Sequence, residues 1–232
     1  MPTGRQLSLH LGKGRRFRYL LLLFLIQIIA SPILVHSVAG GYVDDTLFFA
    51  ILLAGLHSVR ERNEKLALAS RILFVLFVIQ DVSNYFIDSV PLLVSANITG
   101  GAVLCITMWK MFTFIARQDR VDADTVYGGL CVYILLGALW CIVYVNIELI
   151  HPGSFSFTVH SVPKNLLETY WLLSYFSYTT LMTTGFGDVV PMTSLCQSLV
   201  VLEGMLGQFY MVFFMARLVG LYIAQAGERK KD

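Results

Sequence analysis

Six stretches of mostly apolar residues run along the chain, and polar or basic segments follow the second, fourth and fifth of them. They cover roughly residues 18–39, 43–59, 68–90, 91–116, 126–150 and 194–223. Each approaches the ~20 residues that a helix needs to span a bilayer, and 43–59 is the shortest. The pattern predicts an all-α membrane protein with six transmembrane helices. A further stretch, 166–182, is too short and too polar to span, which suits a re-entrant helix buried in protein.

Composition supports a membrane protein and offers no catalytic chemistry. Hydrophobic residues make up 56% of the chain and charged residues 14%, whereas soluble domains carry about 25% charged residues. The four cysteines lie within apolar stretches and form no C-x-x-C, so we expect buried apolar fillers rather than disulfides or metal ligands. No metal-ligand cluster, nucleophile motif or cofactor fingerprint is present. We therefore predict no enzyme activity, no cofactor and no nucleic-acid partner.

The basic residues predict how the helices cross the membrane. If both ends of a six-span chain are cytoplasmic, all of the 17 lysines and arginines except Lys164 fall on the cytoplasmic side. The positive-inside rule therefore predicts cytoplasmic termini in a plasma or inner membrane, and it places the loop after 166–182 near the outer face. Acidic residues near that face would raise the local cation concentration, although most acidic residues are merely solvated. Asp188 is the one to which we assign a role.

The N-terminus imitates a secretory signal peptide, with a basic start, an apolar core and Ser37-Val38-Ala39. The apolar run is longer than the ~7–15 residues of such a signal, so we predict a retained helix. Residues 1–17 then form a cytoplasmic arm, and 226–232 form a short cytoplasmic tail. No nucleotide-binding or calcium-binding domain follows residue 223, so we expect no gating by a fused ligand sensor.

Residues 183–188, which read Thr-Thr-Gly-Phe-Gly-Asp and are called the glycine loop below, lie between the re-entrant helix and the last apolar stretch. Glycine accepts a positive φ at little cost, so Gly185 and Gly187 let successive backbone carbonyls point to the same side. Four such loops around an axis would stack rings of oxygens that replace the water shell of an ion. One copy cannot do this, so an ion filter here requires assembly with other copies.

Residues 175–191 resemble the pore helix and selectivity filter of the potassium-channel superfamily. Residues 183–188 match every position of its Thr-Val/Thr-Gly-Tyr/Phe-Gly-Asp pattern. Met182 departs from the family, in which a threonine is common at this position, and Phe186 lacks the hydroxyl of the alternative tyrosine. The wider run 121–222 resembles the two-helix pore module of prokaryotic channels. The alternative is a glycine-rich turn between two membrane helices.

The resemblance implies a homotetramer that conducts K⁺ passively and whose partners are membrane lipids and K⁺ ions. The carbonyls of Thr183, Thr184, Gly185 and Phe186 would bind K⁺, together with the Thr183 hydroxyl, and Gly187 would complete the filter. The residues expected to support the filter are Asp188, Thr179, Tyr178, Trp171 and Glu203. An aromatic cuff around it would contain Tyr170, Trp171, Tyr175, Phe176 and Tyr178, although such a stripe can also be ordinary packing.

Gly204 and Gly207, two of the three glycines in the last apolar stretch, lie near its middle and relax its backbone. Gly207 lies where the superfamily often places a gating hinge, but glycine also serves close helix packing in membranes. Glu203 lies one turn before it, and we predict that it forms a hydrogen bond behind the filter near Thr179 or Tyr178. The residues expected to line the cavity at helical spacing are Gln208, Met211 and Met215.

Residues 18–120 occupy the place of a voltage sensor, ahead of a pore domain over 121–225. A sensor helix carries Arg or Lys at every third position, yet 91–116 carries Lys110 alone. We therefore predict a four-helix domain without a working sensor. Asp81, in the third stretch, is either a ligand or ion-sensing group or a packing element between helices.

Three functions follow from these patterns. The first is a potassium-selective channel with weak or no voltage dependence. The alternatives are a non-selective monovalent cation channel, suggested by Met182 and Phe186, and an accessory subunit that does not conduct. The intact glycine loop argues against the accessory subunit, because a silent subunit need not keep both glycines.

Overall fold

The computed structural model describes residues 16–34, 37–58, 64–87, 89–118, 122–158, 163 and 165–228. These residues form seven helices and one pair of short strands, which are α1 (Arg16–Leu34), α2 (Val38–Ser58), α3 (Glu64–Asn84), α4 (Val90–Ala116), α5 (Ala123–Ile150), β1 (Phe155–Phe157), α6 (Leu166–Leu181), β2 (Val189–Pro191) and α7 (Ser194–Glu228). Six of the helices, all but α6, are long and apolar enough to cross a membrane. The chain is therefore an all-α, multi-pass membrane protein, as the hydropathy pattern predicts.

All six predicted spans are helices, but several bounds differ: α3 covers Glu64–Asn84 rather than 68–90, and α7 continues to Glu228 rather than 223. Helix α1 ends at Leu34 rather than at residue 39, and α2 begins at Val38 rather than at residue 43. The Ser37 hydroxyl oxygen accepts the Gly40 N–H at 3.0 Å, so a serine cap starts α2 inside a continuous apolar run. Hydropathy cannot detect a break of this kind. Most of the predicted arm 1–17, the last residues of the tail 226–232 and Lys164 lie outside the described residues.

One apolar core continues across residue 120, the predicted boundary between the four-helix domain and the pore domain. Helices α1 and α4 both pack against α5. The buried side chains of this core include Phe17, Leu20, Phe24, Leu52, Val103, Leu104, Cys131, Leu135 and Phe214. A second core lies between α5, α6 and the start of α7 and contains Cys141, Tyr144, Leu173, Phe176, Val189 and Cys196. Three cysteines are thus buried as predicted, whereas Cys105 is exposed on α4.

Two polar contacts fasten the ends of helices in the two parts of the chain. The Asp124 carboxylate is buried on α5 and accepts the Phe17 N–H at 3.1 Å, which ties α1 to α5. Arg217 on α7 donates from Nη2 to the carbonyls of Ala116 at 2.5 Å and Gln118 at 3.0 Å. Since these carbonyls belong to the end of α4, the inner part of α7 is bound to the four-helix domain.

The single basic residue of the predicted sensor helix lies inside the protein. Lys110 is 4% exposed, and its Nζ lies 3.5 Å from the Ser70 hydroxyl of α3. Arg117 follows at the C-terminal cap of α4. The described part of α4 therefore presents no ladder of exposed cations.

Replacing Asp122 by alanine should lower thermal stability. Its carboxylate caps α5 by accepting the N–H of Thr125 at 2.8 Å, and losing such a cap costs about 1 kcal/mol. Thermal unfolding of the purified protein in detergent measures the change. Asp122→Asn keeps an oxygen acceptor and should unfold at the wild-type temperature. An alanine variant as stable as the wild type would contradict the capping role.

Candidate functional site

Along the glycine loop, residues with a positive φ alternate with residues without one. Thr183, Gly185 and Gly187 have φ values of 57°, 54° and 78°, and the intervening Thr184 and Phe186 have no positive φ. The two glycines behave as their residue type predicts. Thr183 was not expected in this conformation, which costs a residue with a Cβ roughly 1–2 kcal/mol. Strain of this size persists where the surrounding structure enforces it, and such sites are often functional.

The amides of the loop turn back toward α6. The N–H groups of Thr184 and Gly185 both donate to the Thr179 carbonyl, at 2.8 and 3.4 Å. In a trans peptide the carbonyl points opposite to the N–H, and no peptide bond in the described chain is cis. The carbonyls of Thr183 and Thr184 therefore point away from α6. Thr179, predicted to support the filter, contributes its backbone oxygen to this arrangement.

An aromatic stack lies beside the loop. The rings of Tyr175 and Phe186 are almost parallel, with an angle of 3° between planes and centroids 6.3 Å apart. Trp171 also stacks on Tyr175, with centroids 6.4 Å apart. Partial loss of solvent and a hydrogen bond to the Asp188 carboxylate both raise the pKa of Tyr175. Asp188 and Trp171 both contact Tyr175, and their role in supporting the filter stays a prediction.

The other members of the predicted cuff, Tyr170, Phe176 and Tyr178, have partners on other elements, which fits the alternative of ordinary packing. The Tyr178 hydroxyl donates to the Ile134 carbonyl of α5 at 3.1 Å, so Tyr178 holds α6 rather than the loop. Phe176 packs in the core between α5 and α6, and the Tyr170 hydroxyl donates to a side chain of α4. Successive helical residues project about 100° apart, so aromatic residues spread along one helix cannot all face one loop.

A two-stranded sheet holds the outer end of the loop. Strands β1 and β2 pair antiparallel, so that Phe157 lies opposite Val189. The Thr158 N–H donates to the Asp188 carbonyl at 2.8 Å, and the Thr158 hydroxyl lies 3.2 Å from the Gly187 carbonyl. The Gly187 carbonyl therefore faces Thr158, and the place of Gly187 at the end of the filter stays a prediction. Strands of three residues are too short to give a period-two pattern in the sequence.

Glu148 has a structural role that the sequence did not reveal. Its carboxylate accepts the N–H of Gly153 at 2.8 Å and the N–H of Phe155 at 3.0 Å. The side chain therefore fixes the path from α5 into β1. No sequence pattern distinguishes Glu148 from the other acidic residues near the outer face.

Glu203 is fully buried, with 0% of its side chain exposed, between α5, α6 and α7. It accepts hydrogen bonds from the hydroxyls of Tyr144 and Ser177, each at 2.5 Å. The Ser177 Oγ also lies 2.9 Å from the Gly137 carbonyl. The predicted partners, Thr179 and Tyr178, are one or two residues away and face other neighbours. A carboxylate does join α7 to α6, but through Ser177.

Gly207 lies against the end of α6. A Cβ at this position would come within 2.7 Å of the Leu181 Cδ2 atom and 3.1 Å of its carbonyl oxygen. A Cβ at Gly204 would meet nothing within 4 Å. These distances favour close packing at Gly207, while the hinge stays a prediction. Glu203 and Gly207 thus contact Ser177 and Leu181, one turn apart on both helices.

The residues predicted to line a cavity lie on α7 with little cover from the described chain. Gln208 and Met215 are exposed, and Met211 is half-buried. Other large apolar side chains of α7 are also exposed, including Val201, Leu202, Met205, Phe209, Val212 and Phe213. A cavity would need other chains to complete it, so this assignment remains a prediction.

Asp81 is half-buried on α3 in the four-helix domain, close enough to Asp45 for their charges to interact. Asp45 accepts a hydrogen bond from Tyr85, whose ring lies 4.5 Å from that of Tyr42. No group of three metal-ligating side chains occurs among the described residues. The choice between a sensing group and a packing element therefore stays open.

Glu203→Leu should destabilise the protein by about 1–3 kcal/mol, because two buried hydroxyls lose their shared acceptor. Glu203→Gln keeps one acceptor oxygen and should be intermediate. Thermal unfolding in detergent measures both. In the matched double variant Glu203→Leu/Tyr144→Phe, one of the stranded hydroxyls is removed, so it should be more stable than Glu203→Leu alone. A Glu203→Leu variant with wild-type stability would refute the network.

Alanine at Gly207 and at Gly204 separates the packing and hinge alternatives. Gly207→Ala should destabilise the protein by about 1–3 kcal/mol, because its Cβ overlaps Leu181. Gly204→Ala has open space and should be neutral or stabilising by up to about 1 kcal/mol, because alanine favours helix. Thermal unfolding measures the difference. Equal stability of the two variants would contradict the close contact at Gly207.

Comparison with known proteins agrees with this geometry. Residues 153–223 match the family model described as an ion channel, and this segment contains β1, α6, the glycine loop, β2 and most of α7. No curated protein and no solved structure matches the chain. The match confirms the resemblance to the potassium-channel superfamily in the part of the chain that carries the glycine loop. Residues 153–223 are therefore similar to an ion-channel domain, and they belong to a multi-pass membrane protein.

Proposed function

We propose that this protein is a potassium-selective channel that works as a homotetramer and conducts K⁺ passively. The observation that carries the proposal is the direction of the loop amides, which donate to the Thr179 carbonyl. The carbonyls of Thr183 and Thr184 therefore point away from α6. Rings of such carbonyls can replace the hydration shell of an ion. The ion ligands are the backbone oxygens of residues 183–186.

Assembly follows from the exposure of these groups. Residues 182–187 are all exposed in the single chain, although they lie between two membrane-spanning helices. Backbone carbonyls without partners are not tolerated against lipid, but they are tolerated where they line a water-filled path. Four chains around one axis would create this path and would also cover part of the exposed apolar face of α7.

The ligands of the loop favour K⁺ over Na⁺ and Ca²⁺, and the end of α6 favours cations in general. Residues 183–187 contain no carboxylate, and Ca²⁺ prefers carboxylate ligands, whereas carbonyl ligands suit a weakly hydrated monovalent ion. The C-terminal end of α6, at Leu181, immediately precedes the loop, and a helix C-terminus carries roughly −0.5 of an elementary charge. That partial charge stabilises a cation below the filter.

A non-selective cation channel is the second candidate. Phe186 has no hydroxyl, so its side chain stacks on Tyr175 without donating a hydrogen bond. Such a filter is held less firmly at its sides, and a wider filter discriminates less between K⁺ and Na⁺.

Voltage is a weak stimulus in this proposal. Steep voltage dependence needs several charges that move through the membrane field. Helix α4 offers the buried Lys110 and, at its end, Arg117. The positive-inside pattern further supports a plasma or inner membrane location with both termini in the cytoplasm.

Purified full-length protein in liposomes tests the proposal, with K⁺ and Na⁺ gradients imposed separately. We expect K⁺ flux about tenfold or more above Na⁺ flux, as carbonyl filters discriminate between these ions. Gly185→Ala, at φ 54°, should abolish flux, because alanine strains the loop. Gly220→Ala on α7 has open space around it and serves as the matched control.

Each other outcome contradicts part of the proposal. Equal K⁺ and Na⁺ fluxes would identify a non-selective channel, and absence of flux in the wild type would identify an accessory subunit. Mass measurement of the detergent-solubilised protein should give four copies, and a monomer in every preparation would refute the shared filter.

A further inference from the structure

Three helices from different parts of the chain meet at Asn97. This residue lies on α4 of the four-helix domain and is 6% exposed. Its Oδ1 accepts a hydrogen bond from the Tyr170 hydroxyl of α6, and its Nδ2 donates to Asn146 Oδ1 of α5 at 2.9 Å. The amide therefore uses its acceptor and its donor at the same time, each toward a different helix of the pore domain.

A buried amide fixes its neighbours more closely than an apolar side chain does. Leaving an amide group unpaired away from water is costly, so Asn97 keeps both partners only if α4, α5 and α6 hold one relative arrangement. Apolar contacts tolerate small sliding movements, whereas hydrogen bonds weaken steeply with distance and angle. The Asn97 junction therefore specifies where the first half of α6 lies against α4.

Most other contacts that hold α6 come from the pore domain itself. Glu203 and Gly207 belong to α7, and Ile134 belongs to α5. The four-helix domain contributes the hydrogen bond of Asn97 and a close approach near the start of α6, where a Cβ on Gly41 would lie 2.7 Å from Leu167 Cδ1. Asn97 is thus a specific polar link from the four-helix domain to the helix that carries the glycine loop.

A shift at Tyr170 reaches the glycine loop through a rigid element. Tyr170 and Thr179 lie on the same uninterrupted helix, and the Thr179 carbonyl holds the amides of Thr184 and Gly185. Rotation or tilt of α6 would therefore move the acceptor on which the carbonyl directions depend. The geometry of the loop is thereby linked to the position of α4.

We propose that Asn97 is a positioning residue for the ion filter, which acts through Tyr170 so that the four-helix domain sets the orientation of α6. The inference rests on the proposed channel function and gives the first four helices a part in ion selection that does not require voltage sensing. Asn97 touches no ion. Its effect is to hold Tyr170, and thereby Thr179, in the position that directs the loop carbonyls.

Ion flux through the full-length protein in liposomes tests this link. Tyr170→Phe removes one hydroxyl, and Asn97→Leu removes the whole amide. Each should lower the K⁺ to Na⁺ flux ratio by about threefold or more, the size expected for the loss of one buried hydrogen bond. The double variant should lower it no further than Asn97→Leu alone, because both changes break the same link.

Two further variants separate positioning from general stability. Asn97→Asp keeps an oxygen that can accept from Tyr170 and should retain most of the wild-type flux ratio. Thr99→Val is the matched control on the same helix, because the Thr99 hydroxyl donates to Gln80 of α3 at 2.6 Å and to carbonyls of its own helix. It should change thermal stability but leave the flux ratio at the wild-type value.

The possible failures are distinguishable. If the wild type conducts K⁺ selectively and Tyr170→Phe and Asn97→Leu keep its flux ratio, the inference is overturned while the proposed function stands. Additive effects of the two substitutions, or an equal loss of selectivity in Thr99→Val, would also overturn it. A wild type without ion flux would overturn the proposed function and this role of Asn97 together.

Discussion

The arrangement of the glycine loop depends on one backbone oxygen. The Thr179 carbonyl accepts the amides of Thr184 and Gly185, and this contact forces the carbonyls on the other side of those peptides to point outward. It also accounts for the unusual positive φ of Thr183, which precedes these amides. Without that acceptor, an extended loop would alternate its carbonyls between two sides. The conformation of the first part of the loop thus depends on the position of one short helix, while Thr158 holds its outer end.

That helix is held on every side by contacts of different chemistry. On α7, the buried Glu203 carboxylate and the backbone at Gly207 contact this helix one turn apart. On α5, Tyr133 donates to the Leu181 carbonyl at 3.0 Å, and Ile134 accepts from Tyr178. On α4, an asparagine amide contacts it near its start. The continuous core that joins α1, α4 and α5 explains how these contacts keep their spacing, because the helices that carry them are packed together.

The sequence predicts features that depend on composition along the chain and misses features that depend on rotation about a helix axis. Hydropathy finds the six spans and the short helix over 166–181, and residue types identify the glycine loop. The side on which Tyr178 or Glu203 finds its partner is set by packing, and a shift of one residue turns a side chain by about 100°. The three-residue strands and the role of Glu148 have no sequence signal, because they arise from backbone groups brought together by the fold.

Asn97 illustrates the same limit from the other direction. Its place in an apolar stretch marks it as unusual, yet the sequence does not say which helices its amide joins. The same residue occurs in Asn-Ile-Thr, which fits a glycosylation sequon, but its 6% exposure leaves no room for a sugar chain. Polar residues in membrane helices are therefore worth marking from sequence alone, while their roles need the packing around them.

The contacts of Glu203 and Gly207 with α6 fasten one segment of α7 to that helix. Two attachments one turn apart resist both sliding and twisting, so the segment from Glu203 to Gly207 acts as a clamp that moves with α6. With the predicted hinge at Gly207, the helix beyond residue 207 would move as a lever relative to that clamp. Arg217 connects this lever to the end of α4 through carbonyls that remain acceptors at every pH. A swing of the lever would therefore pull on the four-helix domain while the clamped part stays still.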